Sequence, residues 1–253
     1  MTELTQLPPA FWVAAPLTIL FAYTVFGLSG FGTTAIAVPI LAHWLPLTYL
    51  VPLMVLTDLA GAAFIGRQGR RHVSVPELKR LLPFMAVGIA VGVTVLVSVP
   101  KRPLDIVLGA LTIAIGLNAI ANPVPKGTIS AWWCVPTGIV AGAFAAAFGA
   151  GGPIHVAYLS GRLKDKDEIR STISTLISIS ATIRAASYAV AGLLLKASVF
   201  AGLVLVAPIA GLGIRLGSRL HERLTQAQVR RFVGAFLITT GSLLLWRALR
   251  QGS

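Results

Sequence analysis

Phe26-Gly27-Leu28-Ser29-Gly30-Phe31-Gly32 breaks an apolar segment that runs from about residue 11 to 42, and Phe148-Gly149-Ala150-Gly151-Gly152-Pro153 breaks a second from about 131 to 160. Neither segment has the length of a simple membrane span. As one helix the first would reach ~48 Å at ~1.5 Å per residue, well beyond ~30 Å of hydrocarbon, yet two full crossings would need ~20 residues each. A glycine turn in the middle of each predicts a hairpin of short helices that enters the membrane and returns. Backbone freed from helical pairing cannot face lipid and survives only where protein buries it or where it lines a polar cavity. Two matching breaks therefore predict one paired site.

The rest of the chain supports a membrane setting. Apolar residues make up 56% and charged residues 11%, with a mean hydropathy of +0.84. Between Glu3 and Arg67 the only formal charge is Asp58, and none lies between Arg80 and Lys101, Lys126 and Arg162, or Arg231 and Arg247. Six further apolar segments fall at about 47–66, 77–99, 103–121, 171–191, 197–217 and 228–248, so the fold class is an all-α polytopic membrane protein. A β-barrel is excluded because its strands would alternate apolar and polar residues. The net charge of +13 would suit nucleic acid in a soluble protein. Here the basic residues sit in short loops, as the positive-inside bias produces, and no nucleic-acid partner is expected. They also favour anionic lipid and anionic solutes. The single cysteine, Cys134, excludes an internal disulfide and a cysteine-based metal cluster, so no metal or cofactor is expected. Glu3 and the lack of a basic residue before the first apolar run argue against a cleaved signal peptide.

Sliding the chain by 125 positions brings Pro83 onto Pro208, Gly88 onto Gly213, Gly92 onto Gly217, Gly109 onto Gly234 and Gly116 onto Gly241. Weak internal symmetry of this type marks transporter folds built from repeats. The expected organisation is a single transmembrane domain over 1–253, with a first repeat at 11–121, a linker at 122–130 and a second repeat at 131–250. Loop charges orient it. If both glycine-broken segments enter and leave on the same side, 15 Lys and Arg gather on one face against 5 on the other, with Arg184 inside. Eight single crossings would give no bias. The charge asymmetry therefore predicts two inverted repeats, each a glycine-broken re-entrant helical hairpin followed by three transmembrane helices, with both termini on the non-cytoplasmic side.

Gly30-Phe31-Gly32 leading to Val38-Pro39-Ile40-Leu41, the second glycine-rich turn and the Pro/Gly pattern of the later spans together carry a resemblance. Over nearly its whole length the chain resembles the sulfite exporter TauE/SafE family of bacterial membrane transporters. That resemblance implies a secondary carrier or exporter in the bacterial cytoplasmic membrane, working by alternating access. Its solute would be a sulfur oxyanion or organosulfonate such as sulfite, thiosulfate or sulfoacetate. Thr33-Thr34 stand where relatives often continue with glycines.

The residues themselves suit an anion. A short helix that begins at a glycine turn offers unpaired backbone N–H groups and the positive end of its dipole, which makes Gly30, Gly32, Gly149, Gly151 and Gly152 candidate binding positions. Ser29, Thr33 and Thr34 can add hydroxyl donors. His155, just past Pro153, can donate to an oxyanion in either protonation state, or bond a neighbouring helix's carbonyl. Arg184 lies deep in the 171–191 span, where a charge must find water, a partner or a ligand. It can bind the anion, pair with Asp58 or reach the interface. Asp58 is accordingly a candidate proton carrier or ion-pair site. Two hydroxyl stripes share that span, Ser171/Thr175/Ser178/Thr182 and Ser180/Arg184/Ser187, and either lines a solute path or closes local bonds to the preceding turn. The partners expected are a small anionic solute and the bilayer, with a homodimer left open. Two rival functions remain: a passive anion channel, and an intramembrane serine protease in which Gly27-Leu28-Ser29-Gly30 supplies Ser29 and His155 acts as base.

Overall fold

The computed structural model describes residues 8–29, 33–65, 73–121, 129–195, 197–220 and 226–250. Gly30, Phe31 and Gly32 of the first break, and most of the expected linker, lie outside the described residues. All regular structure among the described residues is helical: α1 (Pro9–Ser29), α2 (Thr33–Leu41), α3 (Leu47–Ile65), α4 (Val75–Ser98), α5 (Lys101–Ala121), α6 (Cys134–Phe148), α7 (Gly152–Arg162), α8 (Lys166–Val190), α9 (Ala197–Leu220) and α10 (Gln226–Arg250). A single 3-10 turn, Ala131–Trp133, leads into α6. Proline in the first turn starts α4 and α7, where its missing N–H costs nothing. Asp165 caps α8, accepting a hydrogen bond from the Glu168 N–H at 2.8 Å. Six helices are long and apolar enough to cross a bilayer. Their outer faces carry side chains such as Val204, Leu205 and Leu212, each more than half exposed.

Three helix pairs form the frame, and glycine brings each pair together. Gly88 and Gly92 press α4 against the carbonyls of Ile139 and Ala143 on α6, so closely that a Cβ at either glycine would overlap that backbone. Gly213 and Gly217 do the same for α9 against Leu20 and Thr24 of α1, and Gly109 and Gly116 of α5 meet Gly241 and Gly234 of α10. Small residues at these seams let dispersion between backbones replace the hydrophobic drive that lipid removes. The residue order gives the direction of each pair. Numbers rise together in α4/α6 and α1/α9, which run parallel, and oppositely in α5/α10, which run antiparallel. Under the 125-residue offset, the contact of Gly109 with Gly241 becomes that of Gly234 with Gly116. The seam therefore exchanges with itself.

Both glycine-broken segments fold back. Ile129 N donates to Gly161 O at 2.9 Å, joining the start of the second hairpin to its end. In the first, the rings of Phe11 and Trp44 meet edge-on at 6.0 Å. The turn is not in the middle of either segment, contrary to expectation. α1 has 21 residues and α2 only 9, while α6 has 15 beyond its 3-10 turn and α7 has 11. The glycines lie late in each apolar run, so one arm is long and the other short.

Different polar clusters tie the two ends of α4 and α5. At the start of α4, Glu77 accepts from Arg162 at 2.9 Å, Arg80 at 2.8 Å and the Tyr158 hydroxyl at 2.8 Å. Arg162 also bonds the Ile129 carbonyl. At the opposite end, Arg102 Nε donates to Ala248 O at 3.1 Å and Arg247 to His43 O at 2.9 Å. The second hairpin thus closes at the Glu77 end, and the turn after the first at the other.

Candidate functional site

The second glycine turn meets the start of α2 in the interior. Gly149 has φ +71°, a left-handed conformation that terminates α6, and a Cβ there would fall on the Thr34 methyl. Only glycine satisfies both the backbone angle and the space. Gly149 N and Ala150 N return to the carbonyls of Ala145 and Phe144, closing the last turn of α6. Gly151 then packs against Ala141 and Ala145, and α7 begins at Gly152.

Between that turn and the start of α2 lies a cavity of about 40 Å³, lined by the first residues of α2 and α7, by Asp58 of α3 and by Ser180 and Arg184 of α8, with Phe26, Ala145 and Ile177 among its walls. That is room for a few water-sized bodies. Asp58 is held by hydroxyls: its Oδ1 accepts from Thr33 at 2.8 Å and Tyr23 at 3.1 Å, and its Oδ2 from Thr34 at 3.1 Å. His155 and Arg184, both buried, also line the cavity. Among the described residues neither ring nitrogen of His155 has a hydrogen-bond partner, nor has Nε of Arg184. Buried polar atoms are rarely left so, and an unmet set facing a cavity marks a place for a ligand or water.

Arg184 does not reach the interface, being only 4% exposed. Nor does it pair with Asp58: among the described residues the ion pairs are those of Glu77 with Arg80 and Arg162. Its NH1 donates instead to Ala145 O at 3.0 Å, and Tyr188, one turn further along α8, bonds the Ala146 carbonyl. The pair satisfies carbonyls at the end of α6, where a cation also suits the helix dipole.

Gly149, Gly151, Gly152, Thr33, Thr34, Asp58, His155 and Arg184 all line this one cavity. Thr33 and Thr34 turn their hydroxyls to Asp58 rather than leaving them free. Gly30 and Gly32 lie outside the described residues, as does the Ser29 side chain at the end of α1. The hydroxyl-rich α8 divides. Thr175, Ser178, Thr182 and Ser187 each bond the carbonyl four residues back, whereas Ser180 reaches the cavity. Sequence reasoning passed over Tyr23 and Tyr188. Both are fully buried tyrosines in apolar spans, and a phenol in such a place needs a hydrogen-bond acceptor.

The sequence profile described as "Sulfite exporter TauE/SafE" matches residues 15–244. The chain belongs to this family. Its members are membrane transporters rather than enzymes, and with the apolar helices above this makes the chain a multi-pass membrane transporter. A probable inner membrane transporter protein, TsaS of Comamonas testosteroni, is 28% identical over 199 residues, covering 77% of this chain and 83% of the relative. No solved structure matches the chain. A transporter family also removes the role for a Ser29–His155 dyad.

Proposed function

We propose that the chain is a secondary transporter of a small anion, a sulfur oxyanion or organosulfonate such as sulfite, thiosulfate or sulfoacetate, which it carries across the bacterial inner membrane by alternating access. The observation that carries this reading is the cavity beside the second glycine turn, which Arg184, His155 and the first residues of α7 line together, with Nε of Arg184 and the His155 ring nitrogens unmet among the described residues. Four kinds of donor converge there: guanidinium, imidazole, the Ser180 hydroxyl and helix-terminal N–H groups. An oxyanion with several acceptor oxygens can engage them together, and arginine's planar fork suits it particularly well. The family's name agrees with a sulfur-compound transporter, and the name of the TsaS relative with an inner membrane transporter.

The inverted-repeat reading draws support from the helix directions. α5 and α10 are the last helices of their halves and run antiparallel, while α1 pairs in parallel with α9, and α4 with α6. A pseudo-two-fold axis across α5 and α10 lies in the plane of the membrane and inverts one half on the other. The hairpins then open to opposite sides, with the site midway. The Glu77 and Arg162 end belongs to the face with 15 basic residues, which we take as cytoplasmic; both termini then lie outside.

Thermal unfolding of the purified protein against sulfite, thiosulfate, sulfoacetate, taurine and simple carboxylates tests the reading. A ligand at ~100 times its Kd stabilises the fold by ~2.7 kcal/mol, and we expect this from sulfur oxyanions or sulfonates. Equal, small shifts for all five compounds would refute it. Counterflow in proteoliposomes separates a carrier from a passive channel, since only a carrier exchanges solute against solute without a net gradient.

A further inference from the structure

We propose that Asp58 is the seat of a coupling proton, so that proton and anion occupy the cavity together and cross the membrane in the same direction. This rests on the anion-transport reading above. Asp58 is buried, with 8% exposure, at the wall of the cavity that Arg184 and His155 also line. Its three hydrogen bonds are unevenly shared. Oδ1 accepts two, from Thr33 and Tyr23, and Oδ2 accepts one, from Thr34. A carboxylate has about four lone-pair positions. Oδ2 therefore keeps one position to which a proton can bond while all three hydroxyls stay in place, and the resulting O–H is a further donor.

Charge requires that proton. The groups around the cavity are Tyr23 from α1, Thr33 and Thr34 from α2, Asp58 from α3, His155 from α7, and Ser180 and Arg184 from α8. With Asp58 ionised and His155 neutral, carboxylate and guanidinium balance. A monoanion entering alone would put two negative charges within one small cavity, a juxtaposition that favours protonation of one of them. Protonated Asp58 leaves the anion and Arg184 as the balanced pair. With a monoanion, empty and loaded cavities then carry the same charge, which favours a site that changes sides within hydrocarbon. The proton comes from water on the loading side, forms one O–H bond at Oδ2 and returns to water on the other side. The direct hydroxyl–carboxylate distances of 2.8 to 3.1 Å point to a proton rather than a sodium ion, which would have to part these oxygens to coordinate them.

The test uses the full chain in proteoliposomes with a pH dye in the lumen. The probes are methanesulfonate and thiosulfate, whose charges stay constant between about pH 5 and 8, unlike sulfite. We expect entry of methanesulfonate to acidify the lumen, and an inward proton gradient of one pH unit to concentrate it about tenfold. Asp58→Asn should lose both the acidification and the proton-driven accumulation of methanesulfonate. Counterflow without acidification in the unsubstituted protein overturns the proposal, as does accumulation driven by sodium in place of protons. So does an Asp58→Asn protein that still moves protons. Should Asp58→Asn fail to fold, the measurements on the unsubstituted protein decide alone. Absence of counterflow with both probes overturns the anion reading itself, and this proposal with it.

Discussion

Gly149→Ala tests the packing of the second hairpin turn on Thr34 of α2, and a second glycine supplies its control. Gly149 and Gly192 have nearly the same backbone, φ +71° and +73°, but a Cβ at Gly192 meets nothing within 4 Å whereas one at Gly149 lands on Thr34. Left-handed backbone costs a residue with a Cβ ~1–2 kcal/mol, and forcing a methyl into packed space adds ~1–3 kcal/mol. Gly192→Ala should therefore destabilise by ~1–2 kcal/mol, and Gly149→Ala by ~2–5 kcal/mol as the sum of both effects. Thr34→Ser keeps the hydroxyl that bonds Asp58 and removes the methyl nearest the new Cβ. Combined with Gly149→Ala it should recover ~1 kcal/mol, a coupling of the size that touching residues show. Equilibrium unfolding in mixed detergent–lipid micelles measures all four proteins. If the two glycine substitutions differ by less than ~0.5 kcal/mol, or if Thr34→Ser adds independently, Gly149 and Thr34 do not pack as described.

Arg184→Ala should weaken sulfur-anion binding by ~30-fold or more, the effect of ~2 kcal/mol for a truncated buried charge contact, with Arg184→Lys intermediate; ligand-dependent unfolding shifts read both. Glu77→Gln should lower stability by ~3 kcal/mol, because it breaks a pair in which Glu77 is buried. Arg80→Ala, at a side chain 46% exposed, should lose less than ~1 kcal/mol, so equal losses would contradict the clamp. His43 lies in the turn after α2. Burial, and then the Arg247 and Lys101 charges, hold its pKa below the ordinary 6.5, against raising bonds to the Ile40 and Pro39 carbonyls. The unfolded chain thus binds the proton more readily, so this contribution is full above pH ~6.5 and is lost as pH falls below it. His43→Gln should flatten that part of the stability–pH curve, and an unchanged slope would assign it to other groups.

The fold was legible to the extent that lipid imposes simple rules. Hydrocarbon tolerates few charges, so the gaps between Arg80 and Lys101 or Lys126 and Arg162 marked spans without any knowledge of packing. Glycines 125 positions apart were visible as a pattern, and the seams explain it: Gly109 and Gly116 recur as Gly234 and Gly241 because each pair packs on the other. Arm length was not legible. Apolar composition says that a segment is immersed, but both arms of a hairpin are apolar, and only tertiary contact fixes where the chain turns back. The Ile129–Gly161 bond and the Phe11–Trp44 contact join residues that no local pattern relates.

The site divides along the same line. Its members could be found from sequence because each is anomalous where it stands: Asp58 and Arg184 as charges in spans, His155 beside a glycine turn, Thr33 and Thr34 where backbone leaves the helix. Their pairing could not be, because opposite charges at similar depth suggest an ion pair whenever the helices between them are ignored. In the structure Thr33, Thr34 and Tyr23 satisfy Asp58, and the Ala145 carbonyl takes one arm of Arg184. Each charge is thus held by neutral dipoles of the hairpin nearest to it, α1/α2 for Asp58 and α6 for Arg184. A direct ion pair would have occupied the donors that an anion needs. Separate restraint leaves Nε of Arg184 and both His155 nitrogens unmet and ties each charge to a different half of the molecule. Under the proposed alternating access, any motion of one hairpin against the other would change the field at the site and so link occupancy of the cavity to the side it faces.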